Sequence, residues 1–372
     1  MTMKLLQDLL IIPSQSGHEA RIINFICNLL EQNEVKVYRQ DANAIAYIPG
    51  KNSKRAFVLN GHVDTVSEGE AGSWSFDPFG AKVVDKKMYG LGASDMKAGV
   101  AALLDLALEY QRRTPVCDLW FSFVVGEEVD GRGTQSFLDW FFAERHNEPY
   151  QTIEAVIAEP TNNEFIGIGH KGNAFVELTI LGDAGHASAK GNLKTLAISN
   201  TAKVIRQVQQ LERRWRKKYH HEYLGVPTVG ITSVRSGDMR VPNQISSTCT
   251  LTLDIRTTPL LHENLNTQME IFTKNLSCDI QSNFLSASPA GWCPESSLLR
   301  SILSNNWPEI DQHIMSGAAD QCFFSQRGIP AVIFGPGQRD RMHATDEYFN
   351  LTAMAPYQSI VRKLTDIYGD NK

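Results

Sequence analysis

Two histidines and several carboxylates are carried by five short motifs, each placed where an apolar run gives way to polar residues. They are Gly61-His62-Val63-Asp64, Ser94-Asp95-Met96-Lys97, Gly126-Glu127-Glu128, Ala158-Glu159-Pro160-Thr161 and Met342-His343-Ala344-Thr345-Asp346. None contains cysteine. A ligand set of imidazole and carboxylate suits zinc or a similar divalent ion. The set is too rich for one ion, because a catalytic zinc takes three protein ligands and keeps one position open. Two metals sharing a carboxylate would give a hydrolase that activates water.

The residue types allow a division of labour. His62 and Asp64 are two apart, so on an extended strand they point the same way. Beyond the strand end, Asp64 could instead accept a hydrogen bond from the second imidazole nitrogen of His62 and so fix its tautomer. Asp95 lies between Gly90-Leu91-Gly92 and a helix expected to begin near Met96. It could cap that helix, or bridge two cations with one oxygen for each. Glu127 and Glu128 are neighbours after a buried strand, so one can ligate while the other holds a proton. Glu159 precedes Pro160, which stops its strand, and His343 lies beyond the Gly335-Pro336-Gly337 turn. A surface histidine, a helix cap or a solvated glutamate pair is an ordinary alternative for any one motif. Five together at strand ends favour the metal reading.

The elements that must position these residues follow from the apolar pattern. Continuous apolar runs at 56–60, 119–125 and 153–158 read as strands buried on both faces, and 98–110 and 137–142 as helices between them. That order predicts an α/β catalytic domain with a mixed sheet and its functional groups at the strand carboxyl ends. The middle of the chain differs. A strand at 175–181, a helix from 193 to about 219, strands at 228–234 and 247–255, a helix near 262–275 and a strand at 279–285 suggest a ferredoxin-like α+β domain. The expected division is a discontinuous di-metal domain of residues 1–172 and 288–372 with an inserted lid or dimerisation domain of 173–287.

Bulk properties exclude several functions. The 372 residues carry a formal net charge of −5, with 42% hydrophobic and 21% charged residues, as in an ordinary soluble globular protein. This gives no general attraction to nucleic acid. The basic run Arg213-Arg214-Trp215-Arg216-Lys217-Lys218 reads as a solvated, cation-rich helix end. No apolar run approaches the roughly 18 residues that span a bilayer. The first residues, with Leu5, Leu6, Leu9, Leu10 and Ile12, read as an amphipathic helix rather than a signal peptide. Six cysteines are scattered without a close pair, which points to reduced thiols and a cytoplasmic protein.

Nearly the whole chain resembles the M20 metallopeptidase and aminoacylase family, in its acetylornithine deacetylase and succinyl-diaminopimelate desuccinylase branch. The resemblance rests on Pro13-Ser14-x-Ser16-Gly17-x-Glu19, Gly61-His62-x-Asp64-Thr65-Val66, Tyr89-Gly90-Leu91-Gly92-x-x-Asp95-Met96-Lys97-x-Gly99 and Glu127-Glu128. It continues through Glu159-Pro160-Thr161, His170-Lys171-Gly172, Gly185-His186, Asp254-Ile255-Arg256, Gly335-Pro336-Gly337 and His343-x-x-Asp346-Glu347-Tyr348. It implies that His62 and Glu159 hold one ion, Glu128 and His343 the other, and that Asp95 bridges them. Glu127 would be the general base and Asp64 the orienter of His62. The ions would be zinc, or cobalt or manganese. His186 resembles the histidine that reaches a partner subunit's site to stabilise an oxyanion, making a homodimer the expected form. Asn243, Arg256, Lys171 and Asp320 match substrate-binding positions. The segment 213–229 and the Asp346-Glu347-Tyr348 ending are most similar to acetylornithine deacetylases. Two stretches depart from that pattern: Ala187-Ser188-Ala189-Lys190-Gly191 lacks a proline segment, and Ser316-Gly317-Ala318-Ala319-Asp320 resembles the loop of desuccinylases.

The resemblance implies hydrolysis of an N-acyl amino acid, with N-acetylornithine first. Succinyl-diaminopimelate, another N-acyl amino acid or a dipeptide is the alternative. A non-catalytic binding protein would lack Glu127 or a ligand, and none is missing. A cysteine hydrolase using Cys293 or Cys322 lacks a recognisable nucleophile motif.

Overall fold

A computed structural model describes residues 1–70 and 72–370, and the chain divides into two compact units. The first comprises Met1–Gly169, Gly291–Met315 and Ala319–Lys372, the second His170–Ala290 and Ser316–Ala318.

The first unit is built on a mixed nine-stranded sheet. At its centre Asn52–His62 runs parallel to Cys117–Val124 on one side and Thr152–Ile157 on the other, and Ala331–Ile333 continues parallel beyond. Asn43–Ile48 and Lys36–Gln40 extend one edge antiparallel. The central strands are mostly apolar because each face is covered, with Asn60, Asp118, Ser122 and Glu154 as buried polar exceptions. Phe57 and Leu59 pack on one side with the helices Thr2–Leu10, Ala20–Gln32, Ala98–Arg112 and Met354–Asp370. Ala56 and Val58 pack on the other with Arg132–Ala143 and Gln321–Gln326. Parallel strands share a direction, so His62 and the segments after Val124, Ile157 and Ile333 leave the sheet at one edge. That shared edge gathers the motifs of His62, Glu127–Glu128, Glu159 and His343, whereas Asp95, also expected at an end of this sheet, follows Lys87–Tyr89, a strand of a separate three-stranded sheet.

The helix begins at Ala98, as the apolar spacing over 98–110 predicts, and 93–97 forms a separate wide turn before it. Asp95 has an extended backbone there and caps no helix.

The second unit has a four-stranded antiparallel sheet in the order Thr228–Ser236, Thr248–Thr257, Gly172–Leu181, Ile280–Ser288. Its strands alternate, with Ala174, Val176, Leu178, Ile180, Leu251, Leu253 and Ile255 turned toward the helices Ala197–Lys218 and Pro259–Lys274. An alternating pattern is what a sheet covered on one face requires. The long helix starts at Ala197 rather than at 193. The Asp183 carboxylate accepts the N–H groups of Lys194 and Thr195 at 2.7 and 2.8 Å, which holds that segment in a turn.

Candidate metal centre

His62, at the end of the central strand, is buried and directs its two nitrogens to different partners. Nε2 lies 3.3 Å from Asp95 Oδ1 and 3.4 Å from Glu159 Oε1. Nδ1 lies 3.1 Å from the Asp64 carbonyl oxygen and 3.5 Å from Asp64 Oδ1. Asp64 therefore fixes the ring from behind, through its backbone as well as its carboxylate. That carboxylate has a second task. Oδ1 accepts the Glu127 N–H at 3.1 Å, while Oδ2 accepts the Glu128 N–H at 3.2 Å and the Ser16 hydroxyl at 2.7 Å. One buried side chain thus orients His62 and fixes the loop carrying both glutamates. Burial works to raise the Asp64 pKa, but His62 and the donated hydrogen bonds hold it below the ordinary value.

Asp95 faces a histidine with each oxygen. Oδ1 points to His62, and Oδ2 lies 3.3 Å from His343 Nε2. His343 Nε2 also lies 2.9 Å from Glu128 Oε2. Two clusters result, His62 with Glu159 and His343 with Glu128, and Asp95 stands between them. Ligand-capable atoms of His62, Glu127 and Glu159 lie within 4.8 Å of one another, as do those of His62, Asp95 and Glu128. Glu127 is therefore near enough to ligate as well as to act as a base.

The donor chemistry fits divalent ions. Glu159 Oε1 is buried and makes no well-formed hydrogen bond, its nearest imidazole nitrogen being His62 Nε2 at 3.4 Å, an arrangement a cation would complete. Burial, then Asp95, raises the Glu159 pKa to about 8. Burial, then Glu159, pushes Glu127 well above the usual carboxylate range. Burial opposes the charge on Asp95, yet hydrogen bonds from His343 and His62 hold its pKa well below the ordinary value. Hydrogen bonding to Asp95 and then Glu128 raises His343 to about 10. Concentrated charges of this kind mark functional sites.

The supporting loops approach each other backbone to backbone. A Cβ on Gly335 would fall 2.2 Å from the Ala158 carbonyl oxygen, and one on Gly337 would fall 2.0 Å from that of Ser94. The Gly-Pro-Gly turn therefore wedges against the loops bearing Glu159 and Asp95. Glu347 and Lys97 are also buried beside the centre.

Asp320, expected to meet substrate, is buried in a polar chain. Its Oδ2 accepts from Thr134 Oγ1 at 2.6 Å, and Thr134 accepts from Asn60 Nδ2 at 3.1 Å. Burial pushes the Asp320 pKa to about 7, while the Thr134 hydroxyl pulls it down. A carboxyl with a raised folded pKa costs the fold nothing at low pH. Its penalty grows as pH rises from the ordinary value of 3.8 through 7. Asp320→Asn is expected to flatten the loss of metal-free stability between pH 4 and 7. The difference is on the order of a few kcal/mol, since a tenfold change in proton affinity is worth about 1.4 kcal/mol. Urea unfolding across that range measures it, and parallel wild-type and variant curves would sink the prediction.

The other candidates lie in the second unit. His186 is exposed, with Nδ1 2.7 Å from Ser188 Oγ and Nε2 2.9 Å from Asn243 Nδ2. Arg256 pairs with Asp254 at 2.9 Å, and Lys171 Nζ donates to the Val226 carbonyl at 2.6 Å. Cys293 and Cys322 are buried in the first unit. Burial pushes the Cys293 thiol to about 12 and that of Cys322 well above its ordinary value, which argues against a thiolate nucleophile.

Sequence reasoning missed three supports, the second role of Asp64, the hydroxyl of Ser16 and the carboxylate of Glu347. Ser16 and Glu347 both stood inside motifs already noted, so position was the available signal.

The family model described as Peptidase family M20/M25/M40 matches residues 58–366. The acetylornithine deacetylase of Buchnera aphidicola subsp. Schizaphis graminum is 27% identical over 330 residues, covering 84% of this chain and 81% of that protein. Succinyl-diaminopimelate desuccinylase 2 of a Ruegeria species is 30% identical over 265 residues, covering 68% of this chain and 64% of that protein. Among solved structures, a dinuclear metal-binding peptidase from Bacillus subtilis superposes with a TM-score of 0.71 at 16% identity, covering 100% of this chain and 98% of that one.

Proposed function

The chain belongs to Peptidase family M20/M25/M40 and is a metal-dependent amidohydrolase, and from that premise we propose that it hydrolyses the amide of N-acetylornithine to ornithine and acetate, a step of arginine biosynthesis. The observation that carries the two-metal hydrolytic reading is Asp95, with one oxygen toward His62 and the other toward His343, while the choice of acetylornithine rests on the likeness to acetylornithine deacetylases. We assign His62 and Glu159 to one ion, His343 and Glu128 to the other, and Asp95 to both. Two divalent ions held there, zinc or alternatively cobalt or manganese, would polarise the carbonyl and make water nucleophilic at neutral pH.

The remaining chemistry belongs to the chain. Glu127 is half-buried and has a carboxylate oxygen within 4.8 Å of ligand-capable atoms of His62 and Glu159, a position from which it can take a proton from water held there and return it. It takes the proton of the attacking water and passes it to the departing amine. Asp64 keeps His62 in the required tautomer and holds the Glu127 loop at a fixed distance. We assign the second unit, with its strand–helix–strand–strand–helix–strand order, to an inserted ferredoxin-like lid and dimerisation domain within residues 173–287, the catalytic domain being 1–172 and 288–372. In a homodimer His186 would stabilise the oxyanion in the partner subunit's site. Arg256 and Asn243 would bind the substrate carboxylate, for which a guanidinium fork is suited, and Lys171 and Asp320 complete the proposed substrate set. Free cysteines support a reducing, cytoplasmic location, and among the described residues no helix is long and apolar enough to cross a membrane.

A second reading is succinyl-diaminopimelate desuccinylation, supported by the likeness to the Ruegeria enzyme. Comparing kcat/KM for acetylornithine, acetylcitrulline, acetyllysine and succinyl-diaminopimelate separates the two. Acetylornithine is expected to rank first. Preference for the succinyl substrate would move the assignment to desuccinylation, and turnover of none of the four would remove both readings.

A further inference from the structure

We propose that Glu347 is the positioning residue that holds the Asp95 bridge and the His343 loop together in metal-binding register. The inference rests on the assignment of those two residues as ligands and goes beyond it. Glu347 is 1% exposed, and its carboxylate accepts three backbone N–H groups from one loop. Oε2 takes Gly92 N–H at 2.8 Å, and Oε1 takes those of Ser94 at 2.7 Å and Asp95 at 3.0 Å. The Glu347 carbonyl oxygen also accepts the Gly90 N–H at 3.0 Å. The next residue continues the seam, with Tyr348 paired to Tyr89 and its carbonyl accepting the Ser94 hydroxyl at 2.7 Å.

Glu347 stands only four residues after His343. The intervening turn is tight, with a left-handed backbone at both His343 and Asp346 and the Glu347 N–H returning to the Ala344 carbonyl at 3.2 Å. One carboxylate therefore cross-links a loop ligating through Asp95 to a loop ligating through His343. Beneath it, Lys97 Nζ donates to the carbonyls of Leu9 and Ile12, tying the same loop to the first helix.

The substitution chemistry is unforgiving. Glutamine has nearly the same shape, but its NH2 group must face at least one of the three N–H donors, and a buried donor without an acceptor is costly. Alanine leaves all three unpaired. The loop must shift to satisfy them, and the Asp95 carboxylate shifts with it. Loss of an outer partner typically lowers metal affinity about 10–100-fold.

The test uses the full chain stripped of metal, as wild type, Glu347→Gln and Glu347→Ala, titrated with zinc against a chromophoric chelator. Cobalt(II) absorption reports the ligand geometry, and urea unfolding of the metal-free proteins reports the fold. Both zinc affinities are expected to fall by about 10–100-fold in Glu347→Gln, with an altered cobalt spectrum. A folded variant with wild-type affinities and spectrum, even one of lower metal-free stability, would make Glu347 merely structural and overturn the inference. Wild type taking up no zinc would instead overturn the metal assignment beneath it. Should neither variant fold, amide exchange in the metal-free wild type decides. Protected amides at Gly92, Ser94 and Asp95 are expected, and exchange at open-loop rates overturns the clamp.

Discussion

Glu127→Gln is expected to lose about 10²–10⁴-fold in kcat, the usual worth of a positioned acid–base group, while retaining two equivalents of metal and a KM close to wild type. Glutamine preserves the shape of the side chain but cannot accept a proton and return it. The loop should stay in place, because it is held through its backbone: Asp64 accepts the N–H groups of Glu127 and Glu128, neither of which the substitution touches. Kinetics together with metal content therefore distinguish two roles. Loss of rate with metal retained supports the base. Loss of metal would make Glu127 a ligand on the His62 side, where its carboxylate is within ligand range. Full activity would remove it from the reaction.

Asp95→Ala is expected to do more damage to metal binding than any other single ligand change. On the proposed assignment His62, Glu159, His343 and Glu128 would each serve one ion, whereas Asp95 addresses both histidines at 3.3 Å. Its removal should weaken both ions by more than the roughly 10–100-fold that an outer-shell loss costs, and activity should fall with them. The imidazoles would also lose an anionic partner that raises both of their pKa values, so less proton must be displaced when metal binds. That opposing effect is smaller than the loss of a direct ligand. A variant that keeps one tight site and substantial activity would show that Asp95 serves a single ion.

The pattern of strand-end motifs was legible because parallel strands covered on both faces read as near-continuous apolar runs and share one direction. His62, Glu159 and the Glu127–Glu128 pair could therefore be assigned to one edge before any coordinates. The distant His343 was legible only through company and resemblance, since chain order alone says nothing about which loop meets Asp95. Supports were harder. Ser16 and Glu347 act on a carboxylate oxygen and on backbone N–H groups, and such contacts leave no periodicity in sequence. The hydrogen bond that Asp320 accepts from Thr134 was equally hidden, because the two residues lie 186 positions apart in the chain. The start of the long helix was misplaced for a local reason, because Asp183 captures two N–H groups that would otherwise open that helix early.

On the proposed assignment, five side chains hold two divalent ions around one bridging carboxylate. Titrating the metal-stripped chain with zinc, while counting bound metal and following deacylation of acetylornithine, tests it directly. Two equivalents per chain are expected, with activity absent before metal is added and restored as the ions are taken up. Full activity in the stripped protein, or saturation at a single equivalent, would contradict it.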